Sequence, residues 1–321
     1  MRVPFCAVLA LLAVGAAGCW APVNRAHLPG AAMPAPRFLR VQVTDGGKTA
    51  VRRVPLEEYV KATVISEFAP PSGDPEVVER MLEVQAVISR TYALAHLSRH
   101  ARAGFNLCST THCQLFQPGR LRSSRWAPAA AEAITRTAGQ VIWFDGGPAS
   151  ALFHADCGGH TSRPGDVWGG PGHPYLVGVA DDGPAEDAHA TWQFDATIAM
   201  VRAALNADPR TRVGSRLDGM TVLDRDEAGR AERVALHATS DRIVRGADLR
   251  DVLSRTFGAR AIRSTWFDVR RDRNMLRFEG RGFGHGVGLC QAGALARIRA
   301  GARLSQVLQR YYPGTLLRTL G

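Results

Sequence analysis

The sequence predicts an α+β protein, with mixed, hairpin-rich sheets packed by helices. It is expected to form one domain over residues 37–321, with an inserted α/β subdomain at about 192–263. Three observations carry this. Apolar and polar residues alternate in strand-length runs joined by Asp- and Gly-rich turns, as hairpins require. Between these runs lie apolar stripes at spacings of three and four, opened by helix caps. A chain of 321 residues, 45% hydrophobic and 21% charged, can bury a real core and is too mixed in character to be fibrous or disordered.

At the N-terminus, Met1-Arg2, the apolar run Val3–Val14 and the small residues Gly15-Ala16-Ala17-Gly18 read as a secretory signal over 1–18. The run is shorter than the ~20 residues of a membrane span. Ala16-Ala17-Gly18-Cys19 looks like a bacterial lipobox, with Ala16 where Leu is commonest, so Cys19 is expected to be lipidated. Residues 19–36, rich in Pro, Ala and Gly, form a tether. The expected product is an exported, membrane-anchored lipoprotein facing the cell wall or periplasm. Lys+Arg 40 against Asp+Glu 29 gives a net charge of +11, which suits acidic polymers. There is no run of five basic residues, and no nucleic-acid partner is expected.

Phe38–Val43 alternates as a half-buried strand, Asp45-Gly46-Gly47 turns it, and Val51–Pro55 returns. A short helix from Leu56 places Leu56, Val60, Thr63/Val64 and Glu67 on one stripe, so a carboxylate ends an apolar face just before Pro70-Pro71. The helix C-terminus and partial desolvation both favour its protonated form, as a general acid requires. Asp74-Pro75-Glu76 caps a longer helix whose inward stripe, Val78, Met81/Leu82, Gln85, Ile88/Ser89 and Tyr92, is interrupted by an amide.

The polar stretch Phe105–Gln114 holds Cys108, His112 and Cys113. A Cys108–Cys113 disulfide and a partial zinc set both remain open on these residues alone. Pro128–Ala138 is a helix ended by Gly139. Val141–Phe144 and Ala149–Ala155 make a hairpin that puts His154 and Asp156 on one face, ahead of the tight Cys157–Thr161 loop. From Trp192 to Arg263 a polar helix, a hairpin around Asp224–Gly229 and a helix after Gly246 form the inserted subdomain, with no concentrated site chemistry. In Gly280–Gln291 five glycines alternate, which would strip side chains from one face of an extended strand and leave backbone that a ring or another chain can approach. No frame of this stretch satisfies G-x-G-x-x-G, which excludes a dinucleotide fingerprint.

Together these pieces resemble the stage II sporulation protein D (SpoIID/LytB) family of cell-wall proteins. The carrying motifs are Val54–Val60, Ser66-Glu67-Phe68-Ala69-Pro70, Gln85–Leu94 (Gln-Ala-x-x-x-Arg-Thr-Tyr), Gly158–Thr161, Gly282–Gln291 and Tyr311–Thr315, in the family's order. The resemblance implies a lytic transglycosylase cleaving glycan strands stripped of stem peptides, with Glu67 as the catalytic residue. The alternative it implies is a non-catalytic wall-binding protein that enhances a cell-wall amidase. Gln85, Gln114, His285, Gln291, Gly284 and Gly286 are expected along the groove. No cofactor is required, although some members hold zinc through the segment that here reads Cys108–Cys113. Two departures stand out: Phe-Ala-Pro follows Glu67 where the family has Met-Pro, and Cys157 and Cys290 stand where many members have Ser. Since the resemblance sets both beside the cleft, a Cys157–Cys290 disulfide is expected. The competing arrangement gathers Cys108, Cys113, Cys157, Cys290 and His112 on one zinc.

The chemistry agrees with a lone acid. A lytic transglycosylase needs one carboxyl to protonate the glycosidic oxygen and then, as carboxylate, to deprotonate the muramic C6 hydroxyl that attacks C1. Ordinary hydrolysis needs a pair, and no partner for Glu67 is visible in the sequence.

Overall fold

A computed structural model describes residues 35–321 apart from 46, 72 and 182–190. The expected signal, Cys19 and most of the expected tether lie outside the described residues. The first sheet joins β1 (Phe38–Asp45) and β2 (Lys48–Pro55) as the expected hairpin, with Leu39 opposite Val54 and Val41 opposite Arg52. Alternation buries Leu39 and Val41 in the first hydrophobic core. A two-residue strand, β3 (Leu107–Cys108), adds in parallel along Val41-Gln42.

Helix α1 (Leu56–Glu67) begins directly after Pro55, with Glu57 and Glu58 in the first turn, where the helix dipole favours negative charge. It ends at Glu67 because Phe68 is extended (φ −117°, ψ 116°). Helix α2 (Pro75–Ala95) has the expected cap, with the Asp74 carboxylate accepting the Glu76 N–H at 2.9 Å. Its predicted stripe is buried throughout, Gln85 included. Arg90 on α2 is 1% exposed and forks onto both Glu57 carboxylate oxygens at 2.8 and 2.6 Å, with a third bond to the Gln140 carbonyl at 3.1 Å. One guanidinium thus ties α2 to α1 and to a later strand.

Short helices α3 (Pro118–Ser123) and α4 (Ala127–Arg136) lead to β4 (Gln140–Phe144), which pairs with β5 (Gly147–Pro148) and the C-terminal β14 (Leu316–Thr319). The expected Ala149–Ala155 return strand is not formed. After Pro148 the chain leaves β4, and β6 (Phe153–His154) pairs in parallel with β13 (Leu289–Cys290) instead. Each of these two-residue strands borrows its partner from the far end of the sequence, a pairing that local alternation cannot reveal.

Past α5 (Pro164–Trp168) a second hydrophobic cluster forms. It gathers the sheet of β7 (Trp192–Thr197), β11 (Phe267–Asp272) and β12 (Met275–Gly280), the sheet of β8 (Leu217–Arg225), β9 (Ala231–Ala238) and β10 (Arg242–Arg245), and helices α6 (Ile198–Asn206) and α7 (Gly246–Phe257). Its core runs from Trp192 to Phe278, beyond residue 263 where the sequence pattern suggested an end. Helices α8 (Gln291–Arg299) and α9 (Leu304–Tyr311) return to the first core.

The glycine-rich stretch departs from its predicted form. Gly282, Gly284, Gly286 and Gly288 all have positive φ, so every second residue reverses the chain and no regular strand forms. What lies against them is this chain itself. A Cβ at Gly288 (φ +72°) would stand 2.0 Å from the Leu152 carbonyl oxygen, and one at Gly286 (φ +82°) 2.3 Å from Arg230 Nε.

Candidate active site

Glu67 ends α1 at the wall of a cleft of about 890 Å³, within the ~300–1,000 Å³ usual for ligand sites. Its position is fixed by the loop that follows β3. Leu115 N–H donates to Glu67 Oε1, Gln117 N–H to Ser66 Oγ at 3.0 Å, and Arg120 to the Ser66 carbonyl at 3.0 Å. Behind them Tyr59 donates to Gln114 Oε1 at 3.1 Å and stacks on Phe116. Burial raises the Glu67 carboxyl to about 7, against the opposing pull of the Leu115 N–H and the Arg120 charge. Glu67 therefore carries a proton over much of the neutral range and can also release it.

Of the other expected groove residues, Gln291, His285 and Gly284 line the cleft. Gln291 is 6% exposed and donates to the Glu67 carbonyl at 3.3 Å and to Gln85 Oε1 at 2.9 Å. Gln85 and Gln114 are fully buried and do not line it: Gln85 braces Gln291, and Gln114 holds the Leu115 loop. Gly286 also stands behind the wall, against Arg230.

His285 accepts the Val287 N–H on Nδ1 at 3.0 Å, which leaves its proton on Nε2. Burial, with Arg250 and Arg230 nearby, drives its pKa down to about 3, so it is a neutral donor and no acid. His154 and Asp156, expected on one strand face, each have a separate partner. His154 Nδ1 meets the Val287 carbonyl at 3.1 Å, while Asp156 accepts the Gly158 N–H at 2.7 Å.

Sequence reasoning set Tyr92 only on an inward helix stripe, whereas it also lines the cleft, stacked on His96 at 4.1 Å; it missed Trp168, 46% exposed with its ring 5.1 Å from that of His285. An exposed indole in a cleft offers a flat apolar face for a sugar ring. It also missed Arg250 and its neighbours on α7, which form part of the cleft wall although their segment carries no motif.

The cysteines fall into two clusters, which overturns their convergence on one zinc. In the first, ligand atoms of His100, Cys108, His112 and Cys113 lie within 4.8 Å of one another. His100 Nε2 is 3.3 Å from Cys113 Sγ, and His112 Nδ1 is 3.7 Å from both sulfurs. A tetrahedral zinc with ordinary Zn–S and Zn–N bonds sets its donors ~3.3–3.8 Å apart, so the four residues fit that ion. Adjacent His112 and Cys113 can share it because the Thr110–Cys113 turn folds His112 back between the sulfurs. The fourth donor, His100, stands eight residues before Cys108, beyond the segment that drew attention. Both thiols are free, so no Cys108–Cys113 disulfide forms.

The expected Cys157–Cys290 disulfide is likewise absent, although the two thiols are neighbours. Each sulfur already has partners. Cys290 Sγ accepts the N–H groups of Cys157 (3.2 Å) and Gly293 (3.3 Å), and Cys157 Sγ donates to Asp181 at 3.6 Å while accepting the Gly159 N–H.

Comparison with known proteins gives two family matches: residues 44–144 match a stage II sporulation protein model, and residues 185–288 match a domain of unknown function, DUF8618. Stage II sporulation protein D of Bacillus subtilis is 25% identical over 83% of this chain and 75% of its own length. An uncharacterized protein of Brachyspira hyodysenteriae is 27% identical over 82% of this chain and 67% of its own. The amidase enhancer of Bacillus subtilis is 24% identical over 74% of this chain, which spans only 37% of that protein.

Proposed function

The chain belongs to the SpoIID/LytB family, and on that footing we propose that it is a lytic transglycosylase of peptide-free cell-wall glycan, with Glu67 as acid and then base. One observation carries the reading: a carboxyl held protonated near neutrality, alone in its role. Among the described residues, the only other carboxylate lining the cleft is Asp251, which is committed to Arg210 and Arg255 at 2.6 and 2.9 Å. A hydrolase would need a second free carboxylate. Protonated Glu67 gives its proton to the glycosidic oxygen as the C1–O bond breaks. The carboxylate, held by the Leu115 N–H, then takes the C6 hydroxyl proton as that oxygen closes on C1. Because the acid form starts the reaction, cleavage falls as pH rises through about 7. A rate that still climbs from pH 7 to pH 9, read by glycan release, would contradict this.

The test is incubation with peptide-free strands and mass spectrometry of the products. Anhydromuramic ends support the reading, and intact strands oppose it. A second reading, enhancement of a cell-wall amidase, is favoured by the relative that bears that name. It predicts intact strands together with faster amidase turnover.

Zinc belongs to the same proposal, held by His100, Cys108, His112 and Cys113 as a closed structural site. When bound, it would stiffen the turn that delivers the Leu115 N–H to Glu67. Elemental analysis should find about one zinc per chain. Stripping the zinc with a chelator should lower melting temperature and turnover together; a metal-free chain with full activity would contradict the assignment. Export and lipidation of Cys19 complete the proposal. Cys19→Ser should release the protein from the membrane fraction or block its processing, whereas unchanged partitioning into detergent would count against the anchor.

A further inference from the structure

The match at 185–288 comes with no function, yet α7 from that segment is one wall of the cleft. Leu249, Val252 and Leu253 face the second core, and spacings of three and four turn Arg250, Asp251, Ser254 and Arg255 to the opening. The charges on this face are unequal. Arg255 is neutralised by Asp208 and Asp251 at 2.7 and 2.9 Å. Arg250 makes one hydrogen bond, from Nε to the Ile262 carbonyl at 3.1 Å, and among the described residues it has no carboxylate partner and no acceptor for its terminal nitrogens.

Its surroundings make that unusual. Arg250 is half-buried near neutral His285 and His154 and a second, buried guanidinium, Arg230; its own desolvation and the Arg230 charge, against the opposing pull of Asp251, lower its pKa to about 10. A desolvated cation without an anion is costly, and a fold keeps one where a ligand completes it. His154, which also lines the cleft, is 4% exposed, and its Nε2 is buried without a partner. Since Nδ1 donates to Val287, Nε2 is a bare acceptor. A guanidinium fork in a cleft that also presents an exposed indole suits a sugar that bears an anion.

We propose that Arg250 is a specificity-determining residue that binds the free lactyl carboxylate of a peptide-free muramic acid, so that the segment of unknown function acts as the selectivity wall of the cleft. This rests on the glycan reading above. A stem peptide turns that carboxylate into a neutral amide, which cannot pair with the guanidinium and leaves it desolvated and unmatched. A site built around a charged partner rejects the neutral analogue more strongly than an apolar pocket rejects a size change.

The test uses two substrates: peptide-free strands with free carboxylates, and the same strands with those carboxylates coupled to methylamine. Cleavage by the wild type is measured on both, and binding of both is measured calorimetrically with Glu67→Gln, which reads the subsite whether or not cleavage occurs. The free-acid strands should be preferred by roughly 10- to 100-fold. Arg250→Gln should abolish that preference, chiefly by weakening the handling of free-acid strands, and Arg250→Lys should restore part of it. An undiminished preference in a folded Arg250→Gln protein, equal handling of both strands by the wild type, or binding of neither would overturn the proposal. Preferential binding without anhydromuramic ends would instead leave the subsite standing and refute the transglycosylase reading.

Discussion

Glu67→Gln should abolish glycan cleavage while leaving the fold intact. The amide fills the same space and can still accept the Leu115 N–H, but it can neither give nor take the proton. One positioned acid or base contributes ~10²–10⁴-fold, and here the same group serves both steps. A variant that kept more than about a tenth of wild-type turnover would remove Glu67 from the mechanism.

The same substitution should make the protein more stable in alkali. Below the unfolded-state value of 4.5 the carboxyl is protonated in both states, so burial carries no charge penalty. Between 4.5 and about 7 the unfolded chain ionises while the folded chain keeps its proton, so stability declines with rising pH and levels off above about 7. The accumulated cost is about 3 kcal/mol, and Gln does not incur it. Denaturant titrations at pH 5 and pH 9 should therefore find the gap between variant and wild type widening toward pH 9. A constant gap would mean that Glu67 titrates normally.

Glu57→Ala should destabilise the protein by about 3 kcal/mol, and by roughly 5–10 °C in melting temperature. The cost is not the loss of a surface ion pair. Arg90 is 1% exposed, and without Glu57 its charge keeps only the Gln140 carbonyl and whatever water can enter. Breaking a buried pair from one side leaves an unpaired charge, whereas replacing both partners does not. The double variant Glu57→Ala/Arg90→Leu should accordingly recover part of the loss. If the single variant melted within a degree or two of the wild type, Arg90 would not be the tie between α1, α2 and β4.

The local elements were legible in the sequence because each is specified by adjacent residues. Alternation at Phe38–Val43, the Asp74-Pro75 cap and the stripe that ends in Glu67 appear as read. What escaped depends on chain segments far apart. The β6–β13 pair joins residues 153–154 to 289–290, and no local period encodes it. The alternating glycines suggested a bare strand, but their positive φ values serve close passage of residues 152–158. In the site, Glu67, His285 and Gln291 could be named from sequence, while Gln85 and Gln114 were displaced one layer back because a buried amide and a groove amide leave the same sequence trace. His100, Trp168 and Arg250 could not be named, since nothing near them in the chain indicates what the fold sets beside them.

The most direct measurement is cleavage of peptide-free strands in water enriched in heavy oxygen, with the new ends weighed by mass spectrometry. An intramolecular attack by the C6 hydroxyl consumes no water, so the account predicts anhydromuramic ends without heavy oxygen. Reducing ends that carry one heavy oxygen each would show that water is the nucleophile and would contradict a lone acid at Glu67.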